Sequence, residues 1–262
     1  MNIKNNIPKQ WKYPLWWLFK SPQRNFGSQT LKQDLSALLS FCFYRFFRFK
    51  KLHRISICTG IYNRSGTYVN CFLNSLNNVK NQHLIELSVF DCGSIDVVNL
   101  ENEIRNNWNG ELVYNSEKVK FSRAHSFNKA VEQSTSDIIF ICDADMNIPE
   151  DIVSVCNHYT SKTLVWYPIV FYLYKDKPPF ISKDYGHWMQ QEGKGMLACR
   201  KSNFLKVGKL NESFTEWGRE DDELWERFMK NGYRIIRNRQ EGMIHNWHPS
   251  NNPKYQNLNK VK

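Results

Sequence analysis

At 262 residues the chain is long enough to bury one large core, and its apolar and charged fractions are those of a globular protein. Its net charge of +11 is unevenly placed: residues 1–54 hold eleven Lys or Arg against one acid, Asp34, which leaves residues 55–262 at about +1. The basicity therefore belongs to an N-terminal arm, which removes the charge argument for nucleic-acid binding by the whole protein, and seven scattered cysteines without a C-x-x-C pair exclude a disulfide framework or a structural zinc site and point to free thiols in a reducing compartment.

The arm, residues 1–54, mixes Trp11, Tyr13, Trp16, Trp17 and Phe19 with Lys9, Lys12 and Lys20, then Phe41 to Phe49 with Arg45, Arg48 and Lys50. Amphipathic aromatics beside cations suit the interface of an anionic membrane; a helical arm packed on the body is the plainer alternative. The apolar run Leu15 to Phe19 is too short for a leader, and Leu35 to Tyr44 falls short of the roughly 20 residues a spanning helix needs. The expectation is a cytoplasmic protein, peripherally membrane-associated.

From Ile55 the pattern alternates. Strands are expected at Ile55–Ile61, Leu84–Phe90, Leu112–Tyr114 and Ile138–Cys142, and helices at Thr67–Val79, Asp96–Asn107 and Ser122–Gln133. Strands alternating with helices of ten or so residues predict an α/β fold with a mostly parallel sheet covered on both faces. Its ligands belong beyond the carboxyl ends of the strands. A helix after Pro149, a strand at Leu164–Tyr174, a loop at 175–193 long enough to be a lid, Met196–Arg200, a helix at Glu220–Lys230 and short strands near Ile235 and Met243 complete residues 55–250. Residues 251–262 read as a tail.

Five segments carry chemistry. Ile138 to Ile141 runs into Cys142-Asp143-Ala144-Asp145, and two acids at i and i+2 of an extended chain point to one side, where a hard cation with phosphate oxygens fits; a solvated turn is the alternative. Trp217-Gly218-Arg219-Glu220-Asp221-Asp222-Glu223 puts four acids at a helix start, where the dipole favours them. Their mutual repulsion favours proton uptake, the property of a general base, and Trp217 with Gly218 offers a flat face for a sugar ring. Arg123 can hold a phosphate and Asp91 can accept from a base or ribose, although an Asp before Gly-Ser is also an ordinary turn residue. His245 and His248 supply imidazoles; on a strand i and i+3 face opposite ways, so only one should reach an ion, and His245 is favoured.

The order of these parts resembles GT-A-fold glycosyltransferases, of the β-1,4-galactosyltransferase and bacterial chondroitin-polymerase-like type. Ile61-Tyr62-Asn63-Arg64 is similar to the donor turn, Phe121 to Asn128 to the F-x-R-A-x-x-x-N segment, Asp143-Ala144-Asp145 to the metal motif, Gly195 to Ala198 to G-V-S-A, and Trp217 to Asp222 to W-G-G-E-D-D. The resemblance covers roughly residues 55–250. It implies a GT-A, Rossmann-like sheet and an inverting, metal-dependent transfer of a hexose or N-acetylhexosamine, galactose or N-acetylgalactosamine favoured, from a UDP-sugar to a glycan or lipid-linked glycan hydroxyl. It assigns Asp221 as base, Asp145 and His245 to Mn2+ or Mg2+, and Tyr62, Arg64, Asp91, Arg123 and Asp143 to the donor. Trp217, Gly218, Glu220 and Asp222 go to the acceptor. Three departures stand out: Thr59-Gly60 replaces the usual proline and loosens the donor turn, Arg219 replaces a glycine, and the Met243–His245 spacing is one short, which leaves His248 as the alternative ligand. A nucleotidyltransferase would want a Gly-rich phosphate loop that is missing after the first strand, and a non-catalytic membrane adaptor would use the arm alone.

Overall fold

A computed structural model of the chain describes residues 51–189, 193–214 and 219–248. The arm up to residue 50, Trp217, Gly218, Glu192 and the 251–262 tail lie outside the described residues.

One nine-stranded sheet organises the described chain. β1 (Ile55–Ile61) is almost wholly buried and pairs in parallel with β2 (Ile85–Asp91) on one side and β4 (Ile138–Ile141) on the other. β3 (Glu111–Ser116) extends β2 in parallel at the edge. A strand covered on both faces needs side chains that are apolar on both, which is why β1 and β4 read as continuous runs instead of alternating. Glu86 of β2 is buried without exposure, and Arg54, Ser56 Oγ and Thr135 satisfy it at the end of the sheet opposite the carboxyl ends.

Helices on both faces complete the parallel half. α1 (residues 65–76) contains a π-helical run, Tyr68–Leu73, and turns Tyr68, Phe72 and Leu76 inward, the first two rings stacked at 4.7 Å. α2 (Leu100–Asn107) starts later than Asp96 because Asn99 caps it, accepting from Asn102 N–H at 3.0 Å. Asp96 instead accepts from the Ser65 N–H and hydroxyl, which clasps the β1 and β2 loops together. α3 (Arg123–Gln133), capped by Ser122, lies so close to β1 that a Cβ on Gly60 would come 2.1 Å from Ser126 Oγ. Gly60 is thus required by helix packing.

Beyond β4 the sheet becomes mixed. β8 (Leu197–Arg200) runs antiparallel to β4 and to β6 (Leu164–Leu173), and β9 (Arg234–His245) runs parallel to β6. The two short strands expected near Ile235 and Met243 are the halves of β9 on either side of a register shift opposite Ile169–Phe171. β5 (Met146–Asn147) closes the far edge against the end of β9. The expected 175–193 loop is shorter than the spacing suggested, because β7 (Gly186–Trp188) folds back on β6 as a hairpin. α4 (Ile152–Tyr159), α5 (Lys201–Lys206) and α6 (Glu220–Lys230) cover the faces.

Two apolar layers sandwich the sheet, one around Phe72, Phe140, Tyr159 and Trp166, the other around Phe127, Tyr167, Phe204 and Phe228. Each such aliphatic or aromatic side chain contributes about 1.5–3 kcal/mol on burial. The six cysteines among the described residues join these layers or their edges as free thiols, and burial pushes Cys92 up to about 11, so they pack rather than react. No helix among the described residues is long and apolar enough to cross a membrane.

Candidate active site

The carboxyl ends of β1, β2 and β4 reach one rim, and the chain after β4 builds the site there. Cys142 N–H makes a last ladder-like bond to Cys58 O at 3.1 Å, and the backbone then turns through Ala144 and Asp145. The two acids consequently part company. This corrects the expectation that an extended chain would aim both carboxylates at one ion.

Asp145 faces the end of β9. Its Oδ1 lies 3.5 Å from His245 Nε2 and its Oδ2 2.9 Å from His248 Nε2, and one donor atom from each residue falls within 4.8 Å of the others. The β5–β9 register sets His245 opposite Met146. β9 ends there, and Asn246 bonds Asp145 O through both its backbone and side-chain N–H groups at 2.9 Å. The turn brings His248 back to the same carboxylate, so the strand rule that would have sent it to the other face does not apply. Tyr172 stacks on the His245 ring at 4.5 Å and 14°, fixing its plane.

Burial alone would push the Asp145 carboxyl up, but the neighbouring His245, the hydrogen bond from His248 and the Arg64 guanidinium hold it well below the usual carboxylate range. Its Oδ1 is buried without a hydrogen bond, as is His245 Nδ1. A deprotonated buried oxygen lacking a donor, beside two imidazoles, fits a divalent cation of the Mn2+ kind. The Arg64 guanidinium sits 3.0 Å from His248 Nδ1. Arginine only donates, so that nitrogen accepts, and the ring proton sits on Nε2, facing Asp145.

Asp143 turns instead to Arg123, whose Nε and Nη2 donate to its Oδ1 at 3.2 and 3.0 Å. The same guanidinium donates to Glu220 Oε1 at 3.2 Å and to Gly195 O at 2.7 Å, with its carbon 4.6 Å from the Phe127 ring centre. Burial would lower the Arg123 pKa, but Asp143, Glu220 and Asp221 together raise it above its ordinary value. The metal-motif segment and the first turn of α6 are therefore tied to one guanidinium.

Within that turn three of the four acids carry a cation: Glu220 has Arg123, Asp222 has Lys194, and Glu223 has Arg227. Asp221 is half-buried and accepts only from Asp222 N–H at 2.9 Å, with no cation on its carboxylate among the described residues. The repulsion expected among four bare acids is thus largely offset. Arg237, which the sequence reading passed over, lies beneath Trp225 and donates to Met189 O. Burial brings its pKa down to about 10 against the pull of Tyr167, Asp221 and Asp222.

On the β2 side, Asp91 ends the strand and spends its carboxylate on local partners. Its Oδ1 accepts from Ser94 N–H and Oγ, and its Oδ2 from the Tyr114 hydroxyl at 3.0 Å. Tyr62, 40% exposed, stacks on Phe121 with centroids 6.0 Å apart and planes at 17°. Phe121 stood in the quoted segment without a role; its pairing with Tyr62 joins residues from two loops, which no local pattern reveals.

The sequence model of the chondroitin N-acetylgalactosaminyltransferase family matches residues 67–261, three-quarters of the chain and all of the candidate site residues except Tyr62 and Arg64. The chain belongs to this family. Among family relatives, human (Homo sapiens) chondroitin sulfate synthase 3 is 32% identical over 145 residues, 50% of this chain and 16% of that protein. Chondroitin sulfate N-acetylgalactosaminyltransferase 2 of Mus musculus is 32% identical over 127 residues, 42% of this chain and 23% of its own length. The chain thus spans under a quarter of these two curated relatives. Among solved structures, the mannosyltransferase PcManGT from Pyrobaculum calidifontis, in complex with GDP-Man and Mn2+, superposes with a TM-score of 0.58 at 15% identity, covering 89% of this chain and 70% of that one. TarS 1–349 of S. aureus in complex with UDP gives 0.56 at 15% identity, covering 75% and 61%. The fold of this chondroitin N-acetylgalactosaminyltransferase family member is accordingly the GT-A glycosyltransferase architecture expected from its motifs.

Proposed function

We propose that the chain transfers N-acetylgalactosamine from its UDP donor to a glycan hydroxyl with inversion at the anomeric carbon. The observation that carries this is the Arg123 bridge: one guanidinium holds Asp143, two residues from the imidazole-flanked Asp145, and Glu220, next to Asp221, the acid of that turn without an ion pair among the described residues. In-line displacement needs leaving group and base on opposite sides of the sugar.

Asp221 takes the acceptor hydroxyl proton as that oxygen attacks the anomeric carbon. A carbon–oxygen bond forms to the acceptor, the bond to the diphosphate breaks, and UDP departs. A Mn2+ or Mg2+ held by Asp145 and His245 would neutralise the charge gathering on that diphosphate. Arg64, at the edge of the same group, is positioned to hold a phosphate, the Tyr62–Phe121 pair offers rings to the base, and Asp143 lies toward the sugar and ribose. Glu220 and Asp222, with Trp217 and Gly218 before them, shape the acceptor side. Residues 55–250 form the catalytic domain, and the basic aromatic arm of residues 1–54 contacts an anionic membrane, which supports a lipid-linked or surface glycan as acceptor.

Asp221→Asn should lower transfer by about 100-fold or more, within the range for loss of a general base, and leave the melting temperature near that of the unsubstituted protein. Measured with UDP-N-acetylgalactosamine and Mn2+, near-native turnover by the folded variant would remove Asp221 from the role of base.

A further inference from the structure

Arg123 reads from the sequence as a diphosphate ligand, yet its polar edges are already engaged. Four hydrogen bonds leave one of the five guanidinium N–H groups uncommitted. One face is covered by Phe127. The fourth partner, Gly195 O, is possible only because residue 195 has no side chain: a Cβ there would stand 2.6 Å from Nη2 and 3.2 Å from the guanidinium carbon. The segment after β4, the start of α6 and the 193–196 segment thus converge on one half-buried cation, and each brings an acceptor to it.

We propose that Arg123 is a positioning residue, not a phosphate ligand: with Gly195 as its seat, it fixes Asp143 and Glu220 at a set separation and so aligns the metal-side acid Asp145 with the base Asp221. The inference rests on the glycosyltransferase reading above and adds to it the element that sets the spacing of its two halves. The planar fork matters here. It presents parallel N–H groups to Asp143 while a separate N–H reaches Glu220, and a lysine ammonium offers only a point charge. Asp143 is two residues from Asp145 and Glu220 one from Asp221, so a shift at the bridge is passed to both working groups with little slack.

The test compares Arg123→Lys with Gly195→Ala, which leaves every charge in place and crowds the guanidinium out of its seat. Both should lower kcat at saturating UDP-N-acetylgalactosamine by on the order of 30- to 100-fold, the cost of misplacing reacting groups by about 1 Å. The calorimetric Kd of UDP with Mn2+ should rise less than about threefold in each, and the double variant should be no slower than the slower single one. A UDP Kd raised about tenfold or more with kcat retained would make Arg123 a phosphate ligand and overturn the proposal, as would unchanged kcat in both variants. If the unsubstituted protein binds Mn2+ and UDP but transfers no sugar, the functional reading fails by itself. The bridge is then judged by melting: Asp143→Asn and Glu220→Gln should be non-additive when Arg123 is present and additive in Arg123→Lys. Additivity in both backgrounds would overturn it.

Discussion

The two histidines on Asp145 differ in proton placement, and that asymmetry can be measured. Arg64 fills His248 Nδ1 with a donor, which commits Nε2 to carrying a proton toward Asp145. A protonated Nε2 has no lone pair for a metal. His245 Nδ1 is buried without a hydrogen bond, nothing commits its Nε2 to a proton, and its ring is held flat by Tyr172. His245→Gln therefore removes a ligand. Loss of a mere outer partner of a metal site costs about 10–100-fold in affinity, so a ligand should cost at least that, or about 1.4–2.7 kcal/mol. His248→Gln keeps an N–H donor for Asp145 and should weaken the metal less than about threefold. Electron paramagnetic resonance titration of free Mn2+ in the presence of UDP reads both, with thermal melts to show that each variant is folded. A His248→Gln variant that loses as much Mn2+ affinity as His245→Gln would refute the tautomer argument and make His248 a ligand.

Two further outcomes follow from local geometry. Arg219 sits at φ +88, a left-handed conformation that costs a non-glycine residue about 1–2 kcal/mol, partly offset by the extra unfolded-state freedom of glycine. Arg219→Gly should therefore raise the melting temperature by about 2 °C, and a lowered one would mean that the arginine side chain contributes more than its backbone costs. Glu212 accepts from Asn128 at 2.8 Å and faces His125 Nδ1 at 2.9 Å. Burial would raise its carboxyl, but these two partners together with the His125 and Lys209 charges lower it below its ordinary 4.5. A depressed carboxyl stabilises the fold above its unfolded value and loses that contribution as pH falls through the folded one. Glu212→Gln should melt earlier than the unsubstituted protein at neutral pH, and the gap should close as pH drops below 4.5; a constant gap across that range would assign the effect to packing.

The parallel half of the fold was legible because its causes are local. Apolar runs such as Ile138 to Ile141 can only be strands buried on both faces, and Ser122 and Asn99 mark helix starts by the hydrogen bonds they can make. The antiparallel half was less so. β7 is three residues whose pairing with β6 depends on Gly186 admitting the Phe171 ring and Tyr172 carbonyl, a contact across the hairpin that no pattern within so short a strand announces. The length of β9 was hidden by the register shift that splits its apolar pattern in two.

The site divides along the same line. That Asp145 would meet a β9 histidine was readable, because the residue types suit a cation. How the acids are kept in register was not, because it depends on one arginine reaching three elements at once and on the missing Cβ of Gly195. A residue type announces what it can bind, whereas the packing around it decides which of several partners it gets. Arg123 had the chemistry of a phosphate ligand and was given two carboxylates and a carbonyl. Asp221 and Glu220 are neighbours of similar chemistry, and the cation on one and not the other separates the buried brace from the free base.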